Sequence, residues 1–221
     1  MKAGGYVKNS RGLLICFEGL DKSGKSTQTM SLMNALGALG IDSEVIRFPD
    51  RSTEIGEVIN KYLKRQIEMP SEAIHLLFSA NRWEHHELIL KKMIQEHMYI
   101  ITDRYAYSGV AYTGAKGKHS LEYLKRPDIG LVRPDIVFYL DVQPDQAKNR
   151  GGDYGSELYE HEEFQKKVGE NFKLLKEDNW IVIDALQSKE EVAERIMEEI
   201  QKYWEAHPEI PQPGKLWSSA N

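Results

Sequence analysis

The segment from Gly19 to Ser26 constrains the fold of this chain more than any other feature. It reads GLDKSGKS, follows the apolar run LLICFE and precedes a stretch with the spacing of an amphipathic helix. The glycines let backbone N–H groups turn inward around phosphate oxygens, and the N-terminus of the next helix adds partial positive charge. The segment therefore predicts a strand, a phosphate-binding loop and a helix, in that order.

The spacing within this loop assigns roles to its side chains. We expect Lys25 to reach the β- and γ-phosphates of a nucleoside triphosphate and the Ser26 hydroxyl to bind Mg²⁺. A second metal-binding oxygen is expected from Asp103, which follows a predicted strand and precedes an arginine. The predicted nucleotide-binding residues of the loop are Gly19, Ser23, Gly24, Lys25, Ser26 and Thr27.

Short β-type runs alternate with longer amphipathic stretches, a pattern typical of a parallel sheet covered by helices on both faces. The predicted strands are Leu13–Glu18, Glu44–Phe48, Tyr99–Thr102, Ile136–Asp141 and Trp180–Asp184. The predicted helices are Lys25–Leu39, Glu54–Arg65, Ser71–Gln95, Gln143–Arg150, Glu160–Glu177 and Ser188–Ala206. We therefore expect an α/β fold in three layers (α/β/α), with a central five-stranded parallel sheet in a single domain over residues 1–221.

Composition and charge exclude several classes of protein. The single cysteine, Cys16, allows neither a disulfide framework nor a cysteine-based zinc site, which fits a reducing, cytoplasmic location. Because no stretch approaches the roughly 20 apolar residues of a membrane span, we expect no membrane partner. The balance of 29 basic against 34 acidic side chains argues against a nucleic-acid partner bound by a broad basic face.

Two segments are expected to lie outside the regular elements. The glycine-rich, polar run that begins at Arg150 predicts a lid loop over residues 150–159, with an ordinary connector as the alternative. Residues 208–221 contain three prolines and predict an extended C-terminal tail. Leu216 and Trp217 could dock this tail on the body of the protein, and a solvated tail is the other possibility.

Further motifs separate the GTPases, motor ATPases and small-molecule kinases that share a phosphate loop. The guanine-reading sequence N-K-x-D does not occur in the chain. A motor ATPase normally has Asp-Glu at the end of a strand, whereas this chain has Asp103-Arg104-Tyr105. Arg51 and Arg104 follow predicted strands and Arg82 lies in a predicted helix, so the three can converge on an acceptor that is itself a phosphate. Taken singly, each could be an ordinary surface charge.

Phe78 and Arg82 are spaced i, i+4 and therefore share one face of a helix. An aromatic ring for stacking and a donor for a carbonyl oxygen would suit a pyrimidine with an exposed O4. The alternative is an amphipathic helix in which Phe78 packs in the core and Arg82 extends its charged end to solvent.

Six stretches together resemble the thymidylate kinase family, in its eukaryotic and poxviral type. They are FEGLDKSGKSTQ (17–28), RFPDRSTEIG (47–56), HLLFSANRWE (75–84), DRYAYSGVAYTGAKG (103–117), KRPDIGLVRPD (125–135) and LYEHEEFQ (158–165). The resemblance implies a P-loop kinase and homodimer that transfers the γ-phosphoryl of Mg·ATP to dTMP, giving dTDP and ADP for dTTP synthesis. A deoxynucleoside kinase and a non-catalytic nucleotide-dependent binding protein are the alternatives.

The resemblance also implies roles for individual residues at the acceptor site. Arg51 and Arg104 would hold the thymidylate phosphate, Phe78 would stack on thymine, and Arg82 would donate to O4. Asp21 would accept a hydrogen bond from the sugar 3′-hydroxyl, and Tyr112 would press on C2′ and disfavour ribonucleotides. The remaining residues implied at the base site are Ser108, Gly109, Tyr159 and Gln165.

Two departures from the family pattern concern the catalytic charges. Lys22 stands where members of this type usually carry an arginine, so the loop offers a point charge in place of a planar fork. The segment 151–157 contains no arginine, and Arg150 resembles the residue that stacks on adenine. The predicted catalytic residues are Asp21, Lys22, Lys25 and Arg104.

Overall fold

The structure, a computed structural model, describes residues 11–143, 146, 158–159 and 161–218. The predicted helix Gln143–Arg150 lies outside the described residues except at 143 and 146. Arg150 and most of the predicted lid also lie outside them, while residues 158 and 159 at the end of the lid are described.

Five parallel strands form one sheet in the order β2-β3-β1-β4-β5. Their bounds are Leu14–Gly19 (β1), Ser43–Arg47 (β2), Tyr99–Asp103 (β3), Ile136–Asp141 (β4) and Trp180–Asp184 (β5). The central strand β1 is buried along its whole length, as its continuous apolar run predicts for a strand covered on both faces. The predicted fold class is confirmed.

Helices connect and cover the strands. They are α1 (Lys25–Ala38), α2 (Glu54–Leu63), α3 (Ser71–Trp83), α4 (His86–Ile94), α5 (Ala106–Gly114), α6 (Leu121–Lys125), α7 (Glu162–Leu175) and α8 (Lys189–Ala206). A short 3₁₀ turn, Arg126–Asp128, follows α6.

The prediction of one helix over Ser71–Gln95 is wrong, because α3 and α4 are separate helices. The chain turns at Glu84 and His85, whose side chains face the loop after β2. Glu84 Oε2 accepts hydrogen bonds from Thr53 Oγ1 and Asn81 Nδ2, and His85 Nε2 lies 3.0 Å from a carboxylate oxygen of Asp50. These contacts stabilise the turn between α3 and α4, where a continuous helix was predicted.

Alternate residues of β1 face two apolar cores, one on each side of the sheet. Ile15 and Phe17 pack with residues of α1 and α8, whereas Leu14 and Cys16 pack with residues of α4, α5 and α7. This arrangement is the predicted three-layer architecture. None of the helices in the described part of the chain is both long and apolar enough to pass through a membrane.

The C-terminal segment docks on the body of the protein in the described residues up to 218. Leu216 is fully buried, and its backbone exchanges hydrogen bonds with Gly130 and Leu131 at 3.0 and 2.7 Å. The indole of Trp217 donates to Glu177 Oε1 at 2.8 Å and its ring meets Tyr107 of α5 edge to face. Of the two possibilities left by the sequence, the structure shows the docked one.

Leu216→Ala should lower the free energy of unfolding by about 2–5 kcal/mol, because it leaves a cavity beneath the docked tail. Leu174→Ala is the matched control, since Leu174 is 74% exposed and its truncation should cost less than about 0.5 kcal/mol. Urea denaturation followed by circular dichroism measures both. Equal stability of the two variants would show that the tail contributes nothing.

Candidate active site

The phosphate loop starts where β1 ends, at the carboxyl edge of the sheet. Gly19 and Gly24 have φ values of 146° and 98°, in a region that residues other than glycine rarely adopt. A Cβ atom at Gly19 would also lie 2.7 Å from the Leu140 carbonyl oxygen. The predicted order of strand, loop and helix is therefore observed, and both glycines are required by the backbone.

Lys25 is buried inside the loop. Its Nζ donates to the carbonyl oxygens of Leu20 and Gly19 at 2.6 and 3.2 Å and to Ser23 Oγ at 3.2 Å. Burial and the nearby Arg104 guanidinium lower the pKa of the Lys25 ammonium to about 7. A phosphate in the loop would supply the negative charge that favours the protonated form.

The predicted metal-binding pair, Ser26 and Asp103, lies side by side. Ser26 Oγ at the start of α1 donates to Asp103 Oδ2 at the end of β3 at 2.5 Å. A hydroxyl and a carboxylate are the hard oxygen donors that Mg²⁺ accepts alongside substrate phosphates. The donor set therefore fits Mg²⁺.

Arg104 lies between β3 and α5, beside the phosphate loop, in a left-handed backbone conformation with φ of 70°. Its guanidinium forms an ion pair with Asp21 and donates to the Gly19 carbonyl oxygen at 3.2 Å. It also donates to Ser108 Oγ at 3.2 Å and lies 5.2 Å from the centre of the Tyr112 ring. Burial acts to lower the pKa of Arg104, but Tyr112 and the carboxylates of Asp21, Asp103 and Glu18 together raise it by more, so the cation is retained.

Glu18 supports the site from behind the cavity wall, and the sequence analysis missed it. Its fully buried carboxylate accepts hydrogen bonds from the backbone N–H groups of Tyr105 and Ser108 at 2.9 and 3.0 Å and from Ser108 Oγ at 2.5 Å. Burial raises the pKa of the Glu18 carboxyl, and these hydrogen bonds offset part of the increase. The available signal was an acidic residue within an otherwise apolar central strand.

Arg82 is buried in α3 beside the cavity. Its Nε and Nη2 donate to the two carboxylate oxygens of Asp128 at 3.0 and 2.6 Å. The interpretation in which Arg82 extends to solvent is therefore wrong. Phe78 lies one helical turn earlier and lines the cavity, and Gly109 of α5 approaches the guanidinium from the other element.

The end of the predicted lid meets the phosphate loop through Gln165 of α7. Gln165 Nε2 donates to Asp21 Oδ2 at 2.6 Å and to the Tyr159 carbonyl oxygen at 2.9 Å, and the Asp21 N–H donates back to Gln165 Oε1 at 3.2 Å. The rings of Tyr159 and Tyr112 lie 5.7 Å apart, edge to face. Asp21, Tyr112, Tyr159 and Gln165 are therefore brought together as predicted.

Asn81 holds the loop that carries Arg51. The Asn81 side chain is fully buried, accepts from the Asp50 N–H at 2.7 Å and donates to the Asp50 carbonyl oxygen at 3.1 Å. Arg51 Nη1 donates to Asn60 Oδ1 at 3.0 Å, which directs the guanidinium along α2.

These residues surround one cavity of about 1380 Å³ at the carboxyl edge of the sheet. Most predicted site residues line it: Asp21, Lys22, Ser23, Gly24, Lys25, Ser26, Thr27, Arg51, Phe78, Arg82, Asp103, Arg104, Ser108, Gly109, Tyr112 and Tyr159. Gly19 and Gln165 do not line it and contact lining residues from behind. Ala185, Gln187 and Lys189, after β5, form a wall that the sequence analysis did not predict.

A parallel sheet with this loop beside β3 and with arginines facing the same cavity defines a P-loop kinase of a small phosphorylated acceptor. The chain belongs to the thymidylate kinase family, whose model matches residues 17–196. It is 46% identical to thymidylate kinase from Arabidopsis thaliana over 95% of this chain and 78% of the relative. It is 47% identical to the human enzyme over 84% of this chain and 88% of the relative.

A solved structure of thymidylate kinase from Candida albicans has the same fold. The TM-score is 0.84 at 36% sequence identity, and the match covers 93% of this chain and 98% of that one. The predicted family resemblance is confirmed.

Proposed function

We infer that the chain is an ATP-dependent thymidylate kinase, which transfers the γ-phosphoryl group of ATP to dTMP and releases dTDP and ADP. One observation carries this function: the phosphate loop and a pocket with Phe78 and Arg82 open into the same cavity, which Arg104 also lines while it donates to Gly19 of the loop. Family membership supports it independently. The product is a precursor for dTTP synthesis.

At the donor end, the loop amides and Lys25 hold the β- and γ-phosphates of ATP. Ser26 and Asp103 would hold Mg²⁺, which would neutralise charge on the phosphate oxygens. The oxygen donor pair described above supports this assignment. The expectation that Arg150 stacks on adenine concerns a residue outside the described part of the chain and stays a prediction.

At the acceptor end, Arg51 and Arg104 hold the dTMP phosphate, and Phe78 and Arg82 hold the base. The acceptor phosphate is already anionic at neutral pH, so transfer needs alignment and charge neutralisation rather than a general base. Ser108, Gly109 and Tyr159 complete the pocket walls.

Asp21 accepts a hydrogen bond from the sugar 3′-hydroxyl and keeps its present contacts. Its two carboxylate oxygens are bound by Arg104 and Gln165, and a carboxylate offers about four acceptor positions. A carboxylate in an anion-binding loop is otherwise unfavourable. Tyr112 contacts the sugar at C2′, an assignment that the position of its ring beside Arg104 supports.

Lys22 supplies the charge that connects donor and acceptor phosphates during transfer. It lines the cavity in a left-handed conformation with φ of 61°, between Asp21 and the remainder of the phosphate loop. A single ammonium can neutralise a non-bridging oxygen, although it cannot grip two groups as a planar fork does.

A cytoplasmic homodimer is the assembly we expect. Three exposed apolar side chains on or beside α3, Leu76, Trp83 and Ile129, support an interface there. The Trp83 indole donates to the Pro127 carbonyl oxygen at 2.8 Å, so the turn that carries Ile129 lies against the end of this helix.

The function is tested by ADP formation with dTMP, thymidine or no acceptor. We expect rapid ADP formation only when dTMP is the acceptor, because thymidine lacks the phosphate for Arg51 and Arg104. Lys25→Met is the control for contaminating kinases and should reduce the rate by at least about 100-fold. Turnover with thymidine alone would indicate a nucleoside kinase, and ATP binding without turnover would indicate a binding protein.

Lys22→Met should lower kcat by at least about tenfold while changing either KM by less than about threefold, the pattern of a contact made mainly in the transition state. Lys22→Arg should retain or raise kcat because it restores a planar fork. Steady-state kinetics with both substrates varied measure these constants. A Lys22→Met enzyme with wild-type kcat would assign the bridging charge to another residue.

A further inference from the structure

We propose that Asp128 is a positioning residue that makes the base pocket select a 4-keto over a 4-amino pyrimidine, acting through Arg82. The inference rests on the proposed function, because it concerns the base of the same acceptor. Neither the phosphate loop nor the residues around Arg104 take part in it.

Asp128 ends the 3₁₀ turn after α6 and is fully buried against α3. Its Oδ1 accepts hydrogen bonds from Arg82 Nε at 3.0 Å and from Ser79 Oγ at 2.7 Å, and its Oδ2 accepts from Arg82 Nη2 at 2.6 Å. The bidentate contact fixes the plane of the guanidinium, because both donors belong to one rigid group. Ser79 in turn fixes the carboxylate.

This contact occupies the edge of the guanidinium formed by Nε and Nη2, and Nη1 takes no part in it. Among the residues that the structure describes, Nη1 has no hydrogen-bond partner, and Arg82 lines the cavity. Gly109 limits its movement from the side of α5. A Cβ atom at that position would lie 2.9 Å from Nη2 and 3.1 Å from Nη1, so helix backbone lies directly against the guanidinium.

A guanidinium remains protonated and can only donate hydrogen bonds. The 4-keto oxygen of thymine accepts such a bond, whereas the 4-amino group of cytosine presents donors of its own. A mobile guanidinium could turn away from an amino group and form another contact. Held between Asp128 and Gly109, Arg82 has no such freedom, so the wrong base leaves buried donors facing one another.

The test is Asp128→Asn, which keeps the size of the side chain and removes its charge. The ratio of kcat/KM for dTMP to that for dCMP should fall about ten- to a hundredfold, mainly through a higher KM for dTMP. The KM for ATP should stay within about twofold. Where dCMP turnover is too slow, its inhibition constant against dTMP replaces kcat/KM.

Asp135→Asn is the matched control, because Asp135 forms the same kind of buried pair. Its carboxylate accepts from Arg11 Nη1 at 2.9 Å and from Arg11 Nη2 at 2.6 Å, and neither residue lines the cavity. This variant should lose stability and keep the selectivity of the wild type. Both variants are assayed below their unfolding temperatures. An equal loss of selectivity in the two would overturn the proposal.

Two further variants keep the proposal testable if Asp128→Asn does not fold. Ser79→Ala removes one hydrogen bond to Asp128 and should lower the selectivity ratio by about two- to tenfold. The double variant Arg82→Met/Asp128→Leu replaces the buried ion pair with apolar groups and should match the selectivity of Arg82→Met alone, since Asp128 acts through Arg82. Unchanged selectivity in Ser79→Ala, or a further loss in the double variant, would refute the mechanism.

Failure of this proposal differs from failure of the proposed function. In the first case the wild-type enzyme phosphorylates dTMP and the selectivity of Asp128→Asn is that of the wild type. In the second the wild type does not phosphorylate dTMP at all.

Discussion

Buried near the end of β1, the carboxylate of Glu18 accepts hydrogen bonds from Tyr105, directly before α5, and from Ser108 in its first turn. β1 also leads into the phosphate loop, so this one side chain joins the loop to α5, which lines the cavity with Ser108, Gly109 and Tyr112. Without its three donors the buried charge would be strongly unfavourable. The position of α5 relative to the phosphate loop therefore depends on a hydrogen-bonded carboxylate that does not itself line the cavity.

Beside Glu18, two cationic side chains and one carboxylate lie close together, so bound phosphates would add negative charge next to the cations. Arg104 and Lys25 lie close enough for the first to lower the pKa of the second, and Asp21 partly compensates both cations. Two phosphate groups bound here would replace repulsion between cations by attraction to anions.

The strands and the phosphate loop could be predicted because their signals are local. A continuous apolar run ends in a glycine whose backbone conformation the loop requires, so the run directly predicts strand β1. α5 was missed since its sequence, AYSGVAYTG, has two glycines and little helix propensity, and it is helical because its neighbours bury it. Asp128 was missed for a different reason: its partner Arg82 lies 46 residues away, and a single sequence does not reveal such a pairing.

We propose above that Arg104 binds the acceptor phosphate and that the pocket with Phe78 and Arg82 binds the base, so loss of Arg104 should affect the nucleotide far more than the nucleoside. Calorimetric titration of dTMP and of thymidine into the wild type and Arg104→Met tests this most directly. The account predicts that the variant loses at least about thirtyfold in affinity for dTMP, a charge-assisted bidentate contact, and less than about threefold for thymidine. Unchanged affinity for dTMP, or an equal loss for both ligands, would contradict it.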